Sequence, residues 1–391
     1  MKKTISFLAV LLLCLSLSCP FAFAENETPV TVKAKAYVLM DASTGEVLLK
    51  NNEHQKLYPA SVTKIMPLLL VMEAIDSGKL DLNEKVTASP EAAAKGGSQI
   101  WLKDGETMTV NELLKAAVIS SANDACTALG ERIAGSEEGI VKMMNDRAKE
   151  LGMNDTHFVN CTGLDDETDE HLTSAYDIAL MSKELLSHER IRAYTTVWMD
   201  SLRNGATQLV NTNKLVRFYK GTTGLKTGTT SKAGYCVSAS AERNGLHLIA
   251  VVMGSDNSSD RFEGAKALLN YGFANYKTVT PEYDKTLVTP VRIIKGFTES
   301  VTPKTENIKP ITVKSGDENK IEAEVEIATD VEAPVEKGQR LGSIIFKLEG
   351  KTLAEYPLTA EEEIKKLTVF DVMKRLLSSL SVRPAEIERE N

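Results

Sequence analysis

Ser61 and Lys64 stand three residues apart in the segment Tyr58-Pro59-Ala60-Ser61-Val62-Thr63-Lys64, at the head of an apolar run that reads as a helix. Side chains at i and i+3 share a helical face, so an amine placed there reaches the hydroxyl. A serine attacks a carbonyl only when a base takes its proton, and a lysine serves once burial or a neighbouring cation lowers its pKa. The start of the same helix offers backbone N–H groups to a developing oxyanion. Acyl transfer is the chemistry this spacing suits. The Ser-x-x-Lys pattern occurs once in the chain, and Ser121-Ala122-Asn123 and Lys226-Thr227-Gly228 follow it in order.

Other groupings carry less chemistry. His54, His157, His171, His188 and His247 are scattered, and no Cys/His spacing suits zinc, so neither a metal nor a cofactor is expected. Ser255-Asp256-Asn257 comes after the lysine motif and after a strand, and it reads as a polar turn. Glu150 and Asn154 have the spacing of a water-activating pair, yet they close a helix and are read as coincidental.

The elements that must position these residues follow from periodicity. Ala36–Asp41 and 46–51 read as a hairpin. Helices are predicted at 61–77, 110–118, 121–134, 137–151, 174–187 and 260–273 from apolar residues at three- and four-residue steps. The runs 226–241 and 246–253 read as strands joined through Asn244-Gly245, a strong turn signal. Strands first, helices in the middle, then strands and a helix imply one α/β domain whose sheet uses both ends of the segment. Beyond 280 the character changes. Seven of the twelve prolines lie there, Cys, His and Trp are absent, and 320–327 and 343–348 alternate like half-exposed strands. That reads as a small all-β domain.

Composition bounds the rest. The 391 residues carry a formal net charge of −8, and 42% are hydrophobic, which excludes global disorder and argues against broad nucleic-acid binding. Lys2 and Lys3, an apolar run to Leu17 and Ala22-Phe23-Ala24 describe a secretory leader over 1–24. Without it the formal charge is −10 and three cysteines remain, Cys126, Cys161 and Cys236, so no full disulfide framework is implied. At the other end Val369, Phe370, Val372, Met373, Leu376, Leu377 and Leu380 share one helical face, and 364–383 holds five Lys/Arg against one acidic residue. A cationic amphipathic helix of this kind is expected to lie flat on an anionic membrane, the alternative being a terminal helix packed on the body of the protein or on a second subunit.

The three ordered motifs, Ser61-x-x-Lys64, Ser121-Ala122-Asn123 and Lys226-Thr227-Gly228, are together the signature of penicillin-binding proteins and serine β-lactamases. With Gly97-Ser98-Gln99, Asn160-Cys161-Thr162-Gly163-Leu164, Ser174-Ala175-Tyr176-Asp177 and Ala233-Gly234-Tyr235, the chain resembles a low-molecular-mass penicillin-binding protein, a serine-type D-alanyl-D-alanine carboxypeptidase. The resemblance implies an α/β (α+β) fold, an antiparallel sheet flanked by a helical cluster, with a small all-β C-terminal domain and a terminal amphipathic helix. It implies domains at 25–277, 278–360 and 361–391. Implied roles make Ser61 the nucleophile, Lys64 its base, Ser121 the relay to the leaving amine, and Asn123 the group orienting Lys64 and the substrate amide. Lys226 and Thr227, with Gly228, would take the terminal carboxylate, and Lys226 would help keep Lys64 neutral. Ser61 and Thr229 N–H groups would form the oxyanion hole, with Arg261 a further candidate for the carboxylate or else a solvated helix-start charge. Expected partners are peptidoglycan stem peptides ending in D-Ala-D-Ala, β-lactam antibiotics as covalent inhibitors, and a membrane surface, with no nucleic acid. The expected place is the extracytoplasmic face of the cytoplasmic membrane or the cell wall. The rivals are a serine β-lactamase and a catalytically silent wall-binding scaffold.

Overall fold

The computed structural model describes residues 30–165 and 168–380. The leader expected at 1–24 and the tail beyond Leu380 lie outside the described residues. Strands β1 (Ala36–Asp41), β2 (Val47–Asn51), β3 (Thr222–Thr230), β4 (Gly234–Arg243) and β5 (Leu246–Ser255) form one antiparallel sheet in the order β2-β1-β5-β4-β3. The two ends of the segment therefore meet in the middle of the sheet, where β1 pairs with β5 at Val38↔Val251.

Side chains alternate across a strand, and the alternation here sorts two cores. Val38, Met40, Ile249, Val251 and Met253 point into a large core shared with the helices. Tyr37, Leu39, Leu248, Ala250 and Val252 point the other way, against α6 (Ser258–Asn275). All ten residues of β5 are buried, as expected of a central strand covered on both faces.

On the first face pack α1 (Ile65–Asp76), α2 (Val110–Ile119), α3 (Asn123–Ala134), α4 (Glu137–Glu150) and α5 (Ala175–Ser187). Local chemistry starts them: Thr109 and Glu112 form a capping box on α2, and Ser136, Ser174 and Asn257 cap α4, α5 and α6. Helix α1 is buried without a break from Ile65 to Met72, so it forms the centre of the cluster. The expected α/β arrangement is the observed one, with one correction in the sheet. The run 226–241 is two strands, folded back after Thr230, because Gly234 adopts φ +65° and lies so close to Ser255 that a Cβ would sit 2.8 Å from its carbonyl oxygen.

From Tyr276 onward the chain is built from short strands in small sheets, the largest pairing Glu322–Ile327, Arg340–Leu348 and Lys351–Thr359. Its cores are small: Val291, Ile293, Val335, Leu341 and Ile364 in one, Ile344, Phe346 and Leu358 in the other. Helix α7 (Val369–Leu380) ends the described chain, and a reciprocal pair of bonds between Thr368 and Asp371 caps its start. Phe370, Met373, Leu376 and Leu377 on it are 55–74% exposed. Among the described residues no helix is long and apolar enough to cross a membrane.

Candidate active site

Ser61 and Lys64 belong to a 3₁₀ turn, Ala60–Lys64, that leads into α1. The α-helix expected from 61 begins instead at Ile65, which tightens the geometry, because residues i and i+3 eclipse in a 3₁₀ turn. Lys64 Nζ donates to Ser61 Oγ at 2.8 Å and to the Thr162 carbonyl at 3.0 Å. Lys64 is fully buried, and that burial lowers its pKa from 10.5 to about 8. Ser61 beside it is half-buried.

Strand β3 runs along the nucleophile turn as the edge of the sheet. Gly228 makes the approach possible, since a Cβ there would lie 2.6 Å from the Pro59 carbonyl and 2.9 Å from the Ser61 and Val62 amide nitrogens. An edge strand has unpaired backbone groups that bind another extended chain, and here those groups border the serine. Gly163 makes the matching approach from the other side, at φ +87°, where a Cβ would overlap the Ala60 carbonyl. The Asn160 side chain ties this loop by accepting from the Thr162 and Gly163 amides. His171 braces it too: Nδ1 accepts from Val159 N–H, so Nε2 carries the proton and donates to Thr63 Oγ1 at 2.8 Å.

Ser121 precedes α3 at φ +63°, a strained conformation for a non-glycine residue of the sort functional sites retain. Its Oγ accepts from Lys226 Nζ at 2.8 Å, and Lys226 also donates to the Thr227 carbonyl. Lys226 is 2% exposed, and burial first, then repulsion from Lys64, holds its pKa well below the usual lysine value. Repulsion between two ammonium groups acts on both, so the pair favours a neutral amine at one of the two positions.

Asn123 Nδ2 donates to the Gly96 carbonyl and its backbone N–H to Ser98, while its buried Oδ1 has no partner among the described residues. Its side chain does not bond Lys64; the Thr162 carbonyl holds that amine. The buried Thr227 hydroxyl donates to Thr212 Oγ1, and Thr229 is exposed at the mouth of the site. Arg261 is 7% exposed, so it is no solvated helix-start charge. Its guanidinium donates to the Gly228 carbonyl and Thr229 Oγ1 and lies over the Tyr235 and Phe262 rings.

The decoys stay apart from this cluster. Glu150 pairs with Arg147 at the surface, its side chain 65% exposed, and Asn257 caps α6. Cys126, Cys161 and Cys236 are buried and free, and no metal-ligating cluster occurs among the described residues. Three carbonyls escape motif reading: that of Thr162, which holds Lys64, and those of Gly96 and Ser98, which hold Asn123. The only sequence signals were Asn160-Cys161-Thr162-Gly163 and Gly97-Ser98-Gln99.

Known proteins resemble the chain along most of its length. Residues 23–257 match the family model described as D-alanyl-D-alanine carboxypeptidase, and residues 276–366 match that of the C-terminal domain of penicillin-binding protein 5. The chain is 42% identical to D-alanyl-D-alanine carboxypeptidase DacF of Bacillus subtilis over 96% of its own length and 98% of the relative's. It is 35% identical to DacC of Escherichia coli, over 90% of each chain. Among solved structures, penicillin-binding protein 5 of Haemophilus influenzae superposes with a TM-score of 0.75 at 30% identity, covering 87% of this chain and 99% of that one. Penicillin-binding protein D2 of Listeria monocytogenes, solved with cefotaxime bound, gives 0.58 at 33% identity, covering 62% and 98%.

Proposed function

The chain belongs to the D-alanyl-D-alanine carboxypeptidase family, and from that membership we propose how its own residues carry the reaction. It is a serine hydrolase of penicillin-binding type. Substrate is a peptidoglycan stem ending in D-Ala-D-Ala, laid as an extra strand along the edge of β3. Ser61 Oγ bonds to the carbonyl carbon of the penultimate D-alanine as its proton passes to neutral Lys64. The N–H groups of Ser61 and Thr229 receive the oxyanion. The carbon–nitrogen bond then breaks, and the proton reaches the leaving D-alanine through Ser121, whose hydroxyl is held by Lys226. Water hydrolyses the remaining Ser61 ester. Asn123 Oδ1, the buried acceptor left over, takes the substrate amide N–H, and Lys226 and Thr227 hold the terminal carboxylate. Arg261 acts through Gly228 and Thr229 as a positioning residue.

One observation supports this reading above the others: the 2.8 Å contact between a fully buried lysine amine and the Ser61 hydroxyl. β-Lactams mimic the same carbonyl and acylate Ser61. The β-lactamase rival loses its support because Glu150, its one glutamate candidate, lies exposed on Arg147. Export through the leader at 1–24 and attachment by the apolar face of α7 would place the enzyme at the extracytoplasmic face of the membrane. Incubation with an acyl-D-Ala-D-Ala peptide tests the assignment: wild type releases D-alanine and Ser61→Ala does not. Equal release by both would refute it.

A further inference from the structure

Trp101 is 74% exposed, while its neighbours Ile100 and Leu102 are 2% and 5% exposed. Its φ of +60° is one that a bulky residue rarely adopts, and the ring gains no burial in return. Both peptide groups around it are clamped. The Ile100 carbonyl accepts from Arg203 Nη1 at 2.8 Å, and the Leu102 N–H donates at 2.9 Å to Asp124, a fully buried carboxylate that also accepts from Ile100 N–H. Arg203 in turn is fixed by Glu106 and Thr207. A strained backbone held by a buried charge and a guanidinium is an expensive way to display an indole, and strain of this kind marks functional surfaces.

The same loop provides the Gly96 and Ser98 carbonyls that hold Asn123, so Trp101 follows by three residues a segment that braces a side chain of the site. Gln99, Lys103 and Asp104 flank it with mixed polarity, which suits neither a lipid surface nor a buried protein interface. A sugar ring fits both features, because its C–H face stacks on an indole and its hydroxyl edge takes hydrogen bonds from polar neighbours. The stem peptide is itself attached to sugar. Four extended residues span about 13 Å, which carries that sugar out of the pocket.

We propose that Trp101 is a stacking platform for a sugar ring of the glycan that carries the stem, a proposal that rests on the carboxypeptidase reading above. The test compares two probes, an acyl-D-Ala-D-Ala tripeptide and a disaccharide pentapeptide, on wild type, Trp101→Ala and Trp101→Phe. Tripeptide turnover reports whether the carboxypeptidase reading holds at all. With it intact, Trp101→Ala should lose about fivefold to tenfold in kcat/KM on the disaccharide substrate alone, and Trp101→Phe should recover most of it. The chain has two tryptophans, so the disaccharide should also quench a fluorescence component missing from Trp101→Phe. Equal losses on both probes would make Trp101 a structural residue, and no loss on either would remove the platform; each result overturns the proposal.

Discussion

In the sheet-and-helix region Lys64, Asp124, Lys226 and Arg261 are all 7% exposed or less. In the β-rich region beyond Tyr276, by contrast, no described charged side chain is buried, and pairs such as Lys295–Glu332 and Lys304–Glu361 lie in solvent. Exposed pairs contribute at most about 1 kcal/mol. Buried ammonium groups lose hydration, and one of them becomes a base. The difference separates the jobs. Only the region with a core large enough to hide several cations can activate a serine.

The sharpest way to break this contrast is to remove the buried base. Lys64→Met keeps the volume, and it should slow penicillin acylation by about 10³–10⁴-fold with a retained near-ultraviolet circular dichroism spectrum. An equivalent Lys295→Met change in the β-rich region should alter the rate less than about twofold. Next in size is Gly228→Ala, whose methyl group meets the Pro59 carbonyl at 2.6 Å. Displacing β3 from Ser61 should cost about 100-fold in acylation, measured by stopped-flow with a chromogenic cephalosporin.

A smaller effect sharpens the role of burial. With a pKa of about 8, Lys64 is mainly protonated at pH 7 and mainly neutral at pH 9, so second-order acylation should rise about tenfold across that interval. A flat profile would mean that another group accepts the serine proton. The smallest expected effect on chemistry comes from the end of the chain. Ile364 packs with Val291, Ile293 and Val335, and it pairs with Val335, so residues up to 368 belong to the β-rich packing. Ending the chain at 368 should therefore leave D-alanine release within about twofold while abolishing sedimentation with anionic vesicles.

Legibility in the sequence followed distance along the chain. Ser61 and Lys64 were readable because a three-residue step is local physics. Ser121, Asn123 and Lys226 were readable as ordered motifs, but their partners were not. Lys64 meets the Thr162 carbonyl across 98 residues, and Lys226 meets Ser121 across 105, contacts that only the fold creates. The hairpin inside 226–241 is not legible because the run is mostly apolar or small throughout, and the turn at Ser231-Lys232-Ala233 lacks the Asn-Gly signal that marks the next one. Arg261 reads as solvated or substrate-bound in the sequence because its position at a helix start hides that β3 and β4 cover it. The β-rich region was legible as a class from its prolines and alternation, though its division into small sheets depends on pairings that short strands do not specify.

Carboxypeptidase chemistry of penicillin-binding type requires that penicillin acylate Ser61 and that Ser61 stay acylated. Intact-mass measurement after incubation with benzylpenicillin, followed by peptide mapping, tests this directly. The predicted result is one penicilloyl group per chain on the peptide containing Ser61, persisting over minutes and absent from Ser61→Ala. A rapid return to the unmodified mass with hydrolysed penicillin in solution, or an adduct on any other residue, would contradict it.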